Sequence, residues 1–261
     1  DLFDFAKSPV LGVQEFCFLT GRALKGVVRR PHYFDDIFIQ MDIIGVGSIP
    51  IVVMMGFFAG AVMAMQMARA LQTYGAISQT SQVVAISLVR ELGPVLTALL
   101  VAGRNASGMA SELGSMKVTE QIDALRSMAV NPLAYLVAPR FIAMFFMVPL
   151  LTIFSVAMGI FGGYLVAVQL YGMSSISFFD PMPNYITYYD IFSGLSKATF
   201  FGFLIVTISC YRGIMTHGGA AGVGRATTKS VVICYSAILI SNFLLTLALN
   251  AFYWQVYTLK V

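Results

Sequence analysis

The sequence predicts an all-α integral membrane protein with five transmembrane helices. Of its 261 residues, 58% are hydrophobic and only 11% are charged, whereas soluble domains carry about 25% charged residues. Several apolar segments are longer than the roughly 20 residues that a helix needs to cross a bilayer. Basic residues are concentrated in alternate connections, the pattern that sets the orientation of a multispanning chain. The predicted spans cover about 43–68, 80–103, 141–170, 191–211 and 230–256.

Residues 1–42, before the first span, are predicted to be a cytoplasmic segment that contains an amphipathic helix. Arg22, Lys25 and Arg29 recur at helical spacing, and apolar residues lie toward the opposite face. A basic stripe opposite an apolar stripe favours a helix in the headgroup region, held there by anionic lipid. An ordinary amphipathic helix in the cytosol is the alternative. Residues 43–261 then form one transmembrane domain.

Three charged residues interrupt the predicted spans. Arg90 and Glu91 lie near the centre of the second span, and Lys197 lies about two turns into the fourth. Each charge costs roughly 2.5–3.5 kcal/mol at the middle of a bilayer, so such residues face a partner or a water-filled cavity. We expect Glu91 to form an ion pair with Arg90 or Lys197 beside a polar cavity. An ion pair that only holds helices together is the alternative.

Glycines at four-residue spacing mark two of the spans. Gly56 and Gly60 lie in the first span, and Gly159 and Gly163 lie in the third. Small residues at this spacing let two helices approach closely. The pattern therefore predicts a helix contact, either within the chain or between two copies in a dimer.

The segment between the second and third spans, residues 115–128, is predicted to be a short amphipathic helix. Val118, Ile122 and Leu125 share one face, and Pro132 lies beyond the helix end. A helix of this length cannot cross a bilayer and is not stable alone in water. We therefore expect it to dock, either on the membrane surface or in a groove of another protein.

The distribution of basic residues predicts a cytoplasmic N-terminus and a C-terminus on the outer side. Positively charged connections stay in the cytoplasm, and the predicted outer side holds only Arg69 and Lys260 beside acidic residues. The basic residues of the predicted cytoplasmic side are Lys7, Arg22, Lys25, Arg29, Arg30, Arg104, Lys117, Arg126, Arg140, Arg212, Arg225 and Lys229.

The residue patterns do not indicate covalent catalysis or a cofactor site. Cys17, Cys210 and Cys234 form no CxxC pair and no metal-ligand spacing, so we interpret them as small apolar residues. Gly219 and Gly224 have the spacing of a phosphate-binding loop, but the Lys-Ser/Thr pair that must follow is absent. We expect a non-catalytic chain with no metal, no cofactor and no nucleic-acid partner.

A long central stretch resembles one family of membrane proteins. It reads ISLVRELGPVLTALLVAGRNASGMASELGSMKVTEQIDALRSMAVNPLAYLVAPR. Within it, RELGP and ELGSMKVTEQIDAL are specific to the MlaE-type (YrbE-like) permeases, the membrane subunits of ABC transporters that move lipids. The resemblance implies five spans after an interfacial helix, a homodimer, and a coupling helix that docks into a separate cytoplasmic ATPase. It also implies a partner with an MCE domain on the outer side, which passes lipid across the periplasm.

The resemblance also implies two sets of functional residues. One set contacts the ATPase from the coupling helix and its surroundings, and the other lies near the lipid cavity. For the ATPase set the resemblance implies Glu120, Asp123 and Arg126, to which we add Glu112, Lys117 and Gln121 as expected contacts. For the cavity set it implies Arg90, Glu91 and Lys197, to which we add Leu92 and Tyr74.

Together these implications describe the permease subunit of an ATP-driven phospholipid transporter in a bacterial inner membrane. Such a subunit forms the lipid path across or out of that membrane and serves outer-membrane lipid asymmetry, while ATP hydrolysis takes place in the partner. There are two alternatives. One is a secondary transporter driven by an ion gradient, with Glu91 as the ion site, and the other is a membrane scaffold that transports nothing.

Overall fold

The computed structural model describes residue 21 and residues 34–258, with the backbone alone for residues 254–258. In this part of the chain the secondary structure is helical, without strands. Five helical runs are long and apolar enough to cross a membrane, which confirms the predicted fold class. The predicted amphipathic helix before the first span lies outside the described residues.

The helical runs are longer than the apolar segments that predicted them. They cover Phe34–Thr73, Ile77–Val118, Leu133–Gln169, Tyr188–Ile214 and Gly219–Tyr253. Charged residues bounded the predicted spans, but a helix satisfies its own backbone hydrogen bonds and can continue past the hydrocarbon. The elements are α1 Phe34–Ile44, α2 Ile49–Thr73, α3 Thr80–Ser87, π1 Leu88–Leu92, α4 Gly93–Val101, π2 Ala102–Ala106, α5 Ser107–Val118, α6 Gln121–Ser127, π3 Leu133–Val137, α7 Ala138–Gln169, α8 Ser175–Phe179, α9 Met182–Tyr185, α10 Tyr188–Ile214 and α11 Gly219–Thr258, with 3-10 turns at Val46–Ser48 and Ile77–Gln79.

The described residues form two compact units. The charged residues of the spans fall in the second unit, and the short helix α6 falls in the first. The first unit comprises residues 34–46, Val101–Phe146 and Gly202–Ser236, and the second comprises Gly47–Leu100, Met147–Phe201 and residues 237–258.

In the first unit, α5 packs closely against the end of α10. A methyl group at Gly213 would lie 2.7 Å from Cβ of Leu113, and one at Gly114 would lie 3.1 Å from Oγ1 of Thr216. Glycine is what lets the two backbones approach this closely. Cys210 is buried and unpaired in the same unit, in line with its interpretation as a small apolar residue.

A short helix lies between the second and third runs, but it begins later than predicted. α5 continues to Val118, and α6 begins at Gln121. Between them Glu120 has a φ of 61°, in the left-handed region, which separates the two helices. No glycine or proline occurs over residues 115–131, so the residue types gave no signal for the break. The prediction of a single helix over residues 115–128 is therefore corrected to two helices.

The break also divides the predicted apolar face. Ile122 is fully buried, whereas Val118 is exposed and Leu125 is half-buried. Because α5 ends before α6 begins, Val118 and Ile122 do not share one helix face. Ile122 is thus the apolar anchor of α6, and most of the other α6 side chains are exposed.

In the second unit, the spaced glycines bring α2 against α7. A methyl group at Gly60 would lie 1.9 Å from the carbonyl oxygen of Gly159, and one at Gly56 would lie 2.4 Å from that of Ser155. Either methyl group would collide with backbone. Of the two predicted uses of these glycines, the structure shows packing within the chain.

Candidate functional site

Arg90 and Glu91 lie in a π-helical turn, π1, between α3 and α4. Such a turn accommodates an extra residue in a helix and is frequent at functional sites. Pro94 follows two residues after π1 and has no N–H to donate to the carbonyl of Arg90, four residues earlier. Lys197 supplies a donor instead, with Nζ at 3.3 Å from that carbonyl oxygen. Pro94 therefore leaves the Arg90 carbonyl available to accept a hydrogen bond from Lys197, which holds the lysine side chain in place.

Glu91 and Lys197 form an ion pair in the second unit. Nζ of Lys197 lies 2.7 Å from Oε1 of Glu91 and 2.8 Å from Oγ1 of Thr246. The lysine side chain is 1% exposed, whereas that of Glu91 is 36% exposed. Of the two ion partners predicted for Glu91, the structure shows Lys197. The carboxylate is thus held on one side and accessible on the other.

Arg90 has different partners. Its Nε lies 3.5 Å from Oδ1 of Asp190, and its Nη2 donates to Oδ1 of Asn250 at 2.8 Å. Asp190 is buried and also accepts from the backbone N–H of Thr187 at 2.9 Å. The Arg90 side chain remains 32% exposed. Two cations and two anions are therefore paired at one place, and the cluster has no net charge when all four are ionised.

Two residues of the predicted cavity set are not among the contacts of this cluster. Tyr74 lies in the turn that follows α2, before the second run begins at Ile77, and its side chain is largely exposed. About four turns of helix separate it from Arg90. Leu92 is the last residue of π1 and is partly exposed, and its apolar side chain cannot form a hydrogen bond. The structure therefore groups Arg90, Glu91 and Lys197, and it places Tyr74 elsewhere.

A second cluster lies around α6 in the first unit. Asp123 accepts from Nζ of Lys117 at 2.8 Å and from Nη1 of Arg126 at 3.0 Å. The hydrogen bond from Lys117, with the positive charges of Lys117 and Arg126, lowers the pKa of Asp123 below its ordinary value of 3.8. Glu120 and Gln121 are exposed beside this triad. Five of the six predicted ATPase contacts are thus grouped on one exposed segment.

Glu112 is the sixth member of that set, and it has a partner within the chain. Its Oε2 lies 2.8 Å from Nη2 of Arg140, which is buried at the start of α7. The structure therefore separates Glu112 from the triad around Asp123.

Comparison with known proteins assigns the chain to a family. A family model described as Permease MlaE matches residues 37–248. The chain belongs to the MlaE permease family. The match includes the charged residues of both clusters, and it confirms the resemblance seen in the RELGP and ELGSMKVTEQIDAL stretches.

Relatives of this MlaE-family chain are similar over most of their length. A probable ABC transporter permease protein of Rickettsia typhi is 44% identical over 224 residues, 86% of each chain. A protein with the same description from Synechocystis sp. is 41% identical over 233 residues, 88% of this chain and 87% of the relative. The intermembrane phospholipid transport system permease protein MlaE of Haemophilus influenzae is 40% identical over 230 residues, 88% of each chain.

Three members of the charged cluster in this MlaE-family permease were missed by the sequence analysis. They are Asp190, Thr246 and Asn250. The spacing of polar residues along the helices could have identified them. Asp190 lies seven residues before Lys197, on the same face of α10, and Thr246 and Asn250 lie four residues apart, on one face of α11. Polar residues that recur on one face of an apolar helix indicate a shared polar contact.

Proposed function

We propose that the chain is the permease subunit of an ATP-driven phospholipid transporter in a bacterial inner membrane, where it forms the path of the lipid. Two copies assemble as a homodimer, bind a separate cytoplasmic ATPase and meet an MCE-domain protein on the periplasmic side. The N-terminus is cytoplasmic and the C-terminus periplasmic, and transport serves outer-membrane lipid asymmetry. The names of the Rickettsia and Synechocystis relatives support the ABC class, and that of the Haemophilus relative supports phospholipid.

The observation that carries the proposal is the partial exposure of two charges inside a membrane-spanning run. About a third of the Arg90 side chain and about a third of the Glu91 side chain are accessible, although both residues form ion pairs. A charge within a bilayer is stable beside an opposite charge or in a polar cavity, and the exposed part of each side chain supports such a cavity. A lipid phosphate entering that cavity meets the guanidinium of Arg90, a group that donates two parallel hydrogen bonds to phosphate oxygens.

The last helix supplies the apolar surface that acyl chains require. Leu239, Phe243 and Leu247 are exposed at helical spacing on α11, the helix that also carries Thr246 and Asn250. Only 11% of the most apolar part of this run is buried, against 56% for the fourth run. The proposed dimer covers part of this face, and lipid tails lie along the rest.

The short helix α6 is the proposed contact with the ATPase. Apart from Ile122 it is mostly exposed, and it carries Asp123 and Arg126, which form a triad with Lys117 at the end of α5. The run Ile77–Val118 that leads into α6 is the run that contains Arg90. A displacement of α6 by ATP-driven closure of the ATPase therefore acts on the helix that holds the lipid phosphate.

A transport assay tests this proposal. The protein is reconstituted in proteoliposomes with its co-purifying partners, and movement of a labelled phospholipid is followed with ATP and without it. We expect ATP-dependent transport that falls about tenfold or more in Arg90→Gln, the loss typical of a removed charged contact. Arg69→Gln is the matched control, because the described contact of the Arg69 side chain is a hydrogen bond to the hydroxyl of Tyr171, away from the charged cluster. Transport that is independent of ATP and depends on a proton or sodium gradient would overturn the proposal in favour of ion coupling.

The geometry gives the ion-coupled alternative less support. Nζ of Lys197 lies 2.7 Å from the carboxylate of Glu91, where a transported cation would have to bind. The ammonium is buried and held by two further acceptors, Thr246 and the Arg90 carbonyl. A transported ion would therefore have to displace a fixed positive charge.

A further inference from the structure

The two helices that flank α6 are joined by an ion pair. Glu112 lies in the middle of α5, and Arg140 lies in the first turn of α7. Oε2 of Glu112 is 2.8 Å from Nη2 of Arg140. Both residues belong to the first unit, and the chain between them contains α6. The pair thus closes the base of a helical hairpin whose tip is the proposed ATPase contact.

Arg140 is held more tightly than an ordinary surface arginine. Its side chain is 3% exposed, whereas that of Glu112 is 48% exposed. Nη1 of Arg140 donates to the carbonyl of Leu136, in the π-helical turn π3 that begins the third run. Nε is buried and has no partner among the described residues. A planar guanidinium with two of its nitrogens engaged has little freedom to move, so it fixes the distance between α5 and π3.

The packing of α5 adds to this constraint. Gly213 and Gly114 allow the backbone of α5 to lie directly against the end of α10 and Thr216. α5 therefore cannot slide independently, and Arg140 ties the start of the third run to it. A buried charge of this kind is strongly unfavourable without its partner, which indicates that Glu112 and Arg140 stay paired.

We infer that Arg140 and Glu112 are positioning residues for energy coupling. Their ion pair holds the two stems of the α6 hairpin at a fixed separation, so that a displacement of α6 moves α5 and π3 together. Glu112 acts within the chain, on Arg140, and is not itself an ATPase contact. This inference rests on the proposed function, in which α6 docks on the ATPase.

The test separates coupling from docking by measuring both in the complete transporter. Wild type, Glu112→Gln and Arg140→Lys are purified with the native ATPase, and labelled phospholipid moved per ATP hydrolysed is measured in proteoliposomes. Gln keeps the shape of Glu and loses the charge, and Lys keeps the charge of Arg and loses the planar fork. We expect both variants to retain the ATPase and to move about five- to tenfold less lipid per ATP, within the usual range of a coupling between sites. Asp180→Asn is the matched control, since Asp180 is an exposed carboxylate outside this hairpin.

Each outcome decides one of the two proposals. Loss of the ATPase from Glu112→Gln would show that Glu112 is a docking contact and would overturn the positioning role. An unchanged lipid-to-ATP ratio in both variants would overturn it as well. Absence of an ATPase from the wild-type preparation would reject the proposed function itself. If Glu112→Gln fails to accumulate, Arg140→Lys decides alone, because it keeps the buried charge paired.

Discussion

Lys197 and Glu91 differ in how far water or a lipid headgroup can reach them. The lysine is 1% exposed and the glutamate 36% exposed. Removing Glu91 leaves a buried ammonium without its anion, whereas removing Lys197 leaves a carboxylate that can still be solvated. We expect Glu91→Leu to lower the free energy of unfolding by about 3–5 kcal/mol, as for one partner lost from a buried pair. Lys197→Leu should lower it by clearly less.

Denaturant or thermal unfolding of the purified protein in detergent measures both losses. The double variant Glu91→Leu/Lys197→Leu is the control, because it leaves neither charge without a partner, and we expect it to be more stable than Glu91→Leu alone. Equal losses in the two single variants would contradict the unequal exposure that the structure shows.

The lowered pKa of Asp123 predicts that the stability of α6 depends on pH. The hydrogen bond from Lys117 lowers the pKa of Asp123 below 3.8, so the ion pairs contribute fully above that value and are lost as the pH falls through the lowered pKa. Protection of the α6 amides from hydrogen exchange, corrected for intrinsic rates, should therefore stay constant from neutral pH to about 4 and fall below it. Asp123→Asn should show weaker protection without that acid transition, and a transition near neutral pH in wild type would refute the assignment.

Single residues also show the limit of sequence reasoning. Charge in an apolar span was enough to select Arg90, Glu91 and Lys197, because such residues must have partners. The choice of partner was not predictable, since it depends on which helix faces meet. Asp190 is the third residue of α10 and lies just before the predicted fourth span of 191–211, so its pairing with Arg90 was missed.

At the scale of elements, two glycines give opposite predictions. A methyl group at Gly60 would lie 1.9 Å from backbone of α7, whereas one at Gly108 in α5 has no atom within 4 Å. Gly60→Ala should destabilise by about 1–3 kcal/mol through overpacking. Gly108→Ala should stabilise by roughly 0.5–1 kcal/mol, because alanine loses less backbone entropy in a helix. Unfolding of the two variants in detergent measures this contrast, and an unaffected Gly60→Ala would show that α2 and α7 do not pack as described.

Element types were predictable, but helix ends were not. Apolar length predicted all five spans, because the bilayer sets a minimum. The ends depend on local contacts that composition does not show, such as the left-handed Glu120 between α5 and α6. A helix was therefore predicted in the right part of the chain, but residues 115–128 were predicted as one helix where the structure has two.

At the scale of the whole molecule, we propose that this chain forms the lipid path and that a partner subunit supplies the energy. The charged cluster of the second unit would bind the headgroup, and α6 of the first unit would receive the force. The family was predictable from sequence because its motifs lie on these two segments. The division of the chain into two units was not, because it depends on packing between segments that are distant in sequence.

Co-purification of an ATPase tests this account most directly. The detergent-solubilised protein is isolated with its native partners as wild type, as Asp123→Lys and as the control Asp180→Lys, and the fold of each is checked by thermal unfolding. Asp123→Lys places a third positive charge between Lys117 and Arg126, and like charges brought together at an interface cost several kcal/mol. We expect an ATPase with wild type and with Asp180→Lys, and at least about tenfold less with a folded Asp123→Lys. Recovery of wild type without any ATPase would contradict the proposed function.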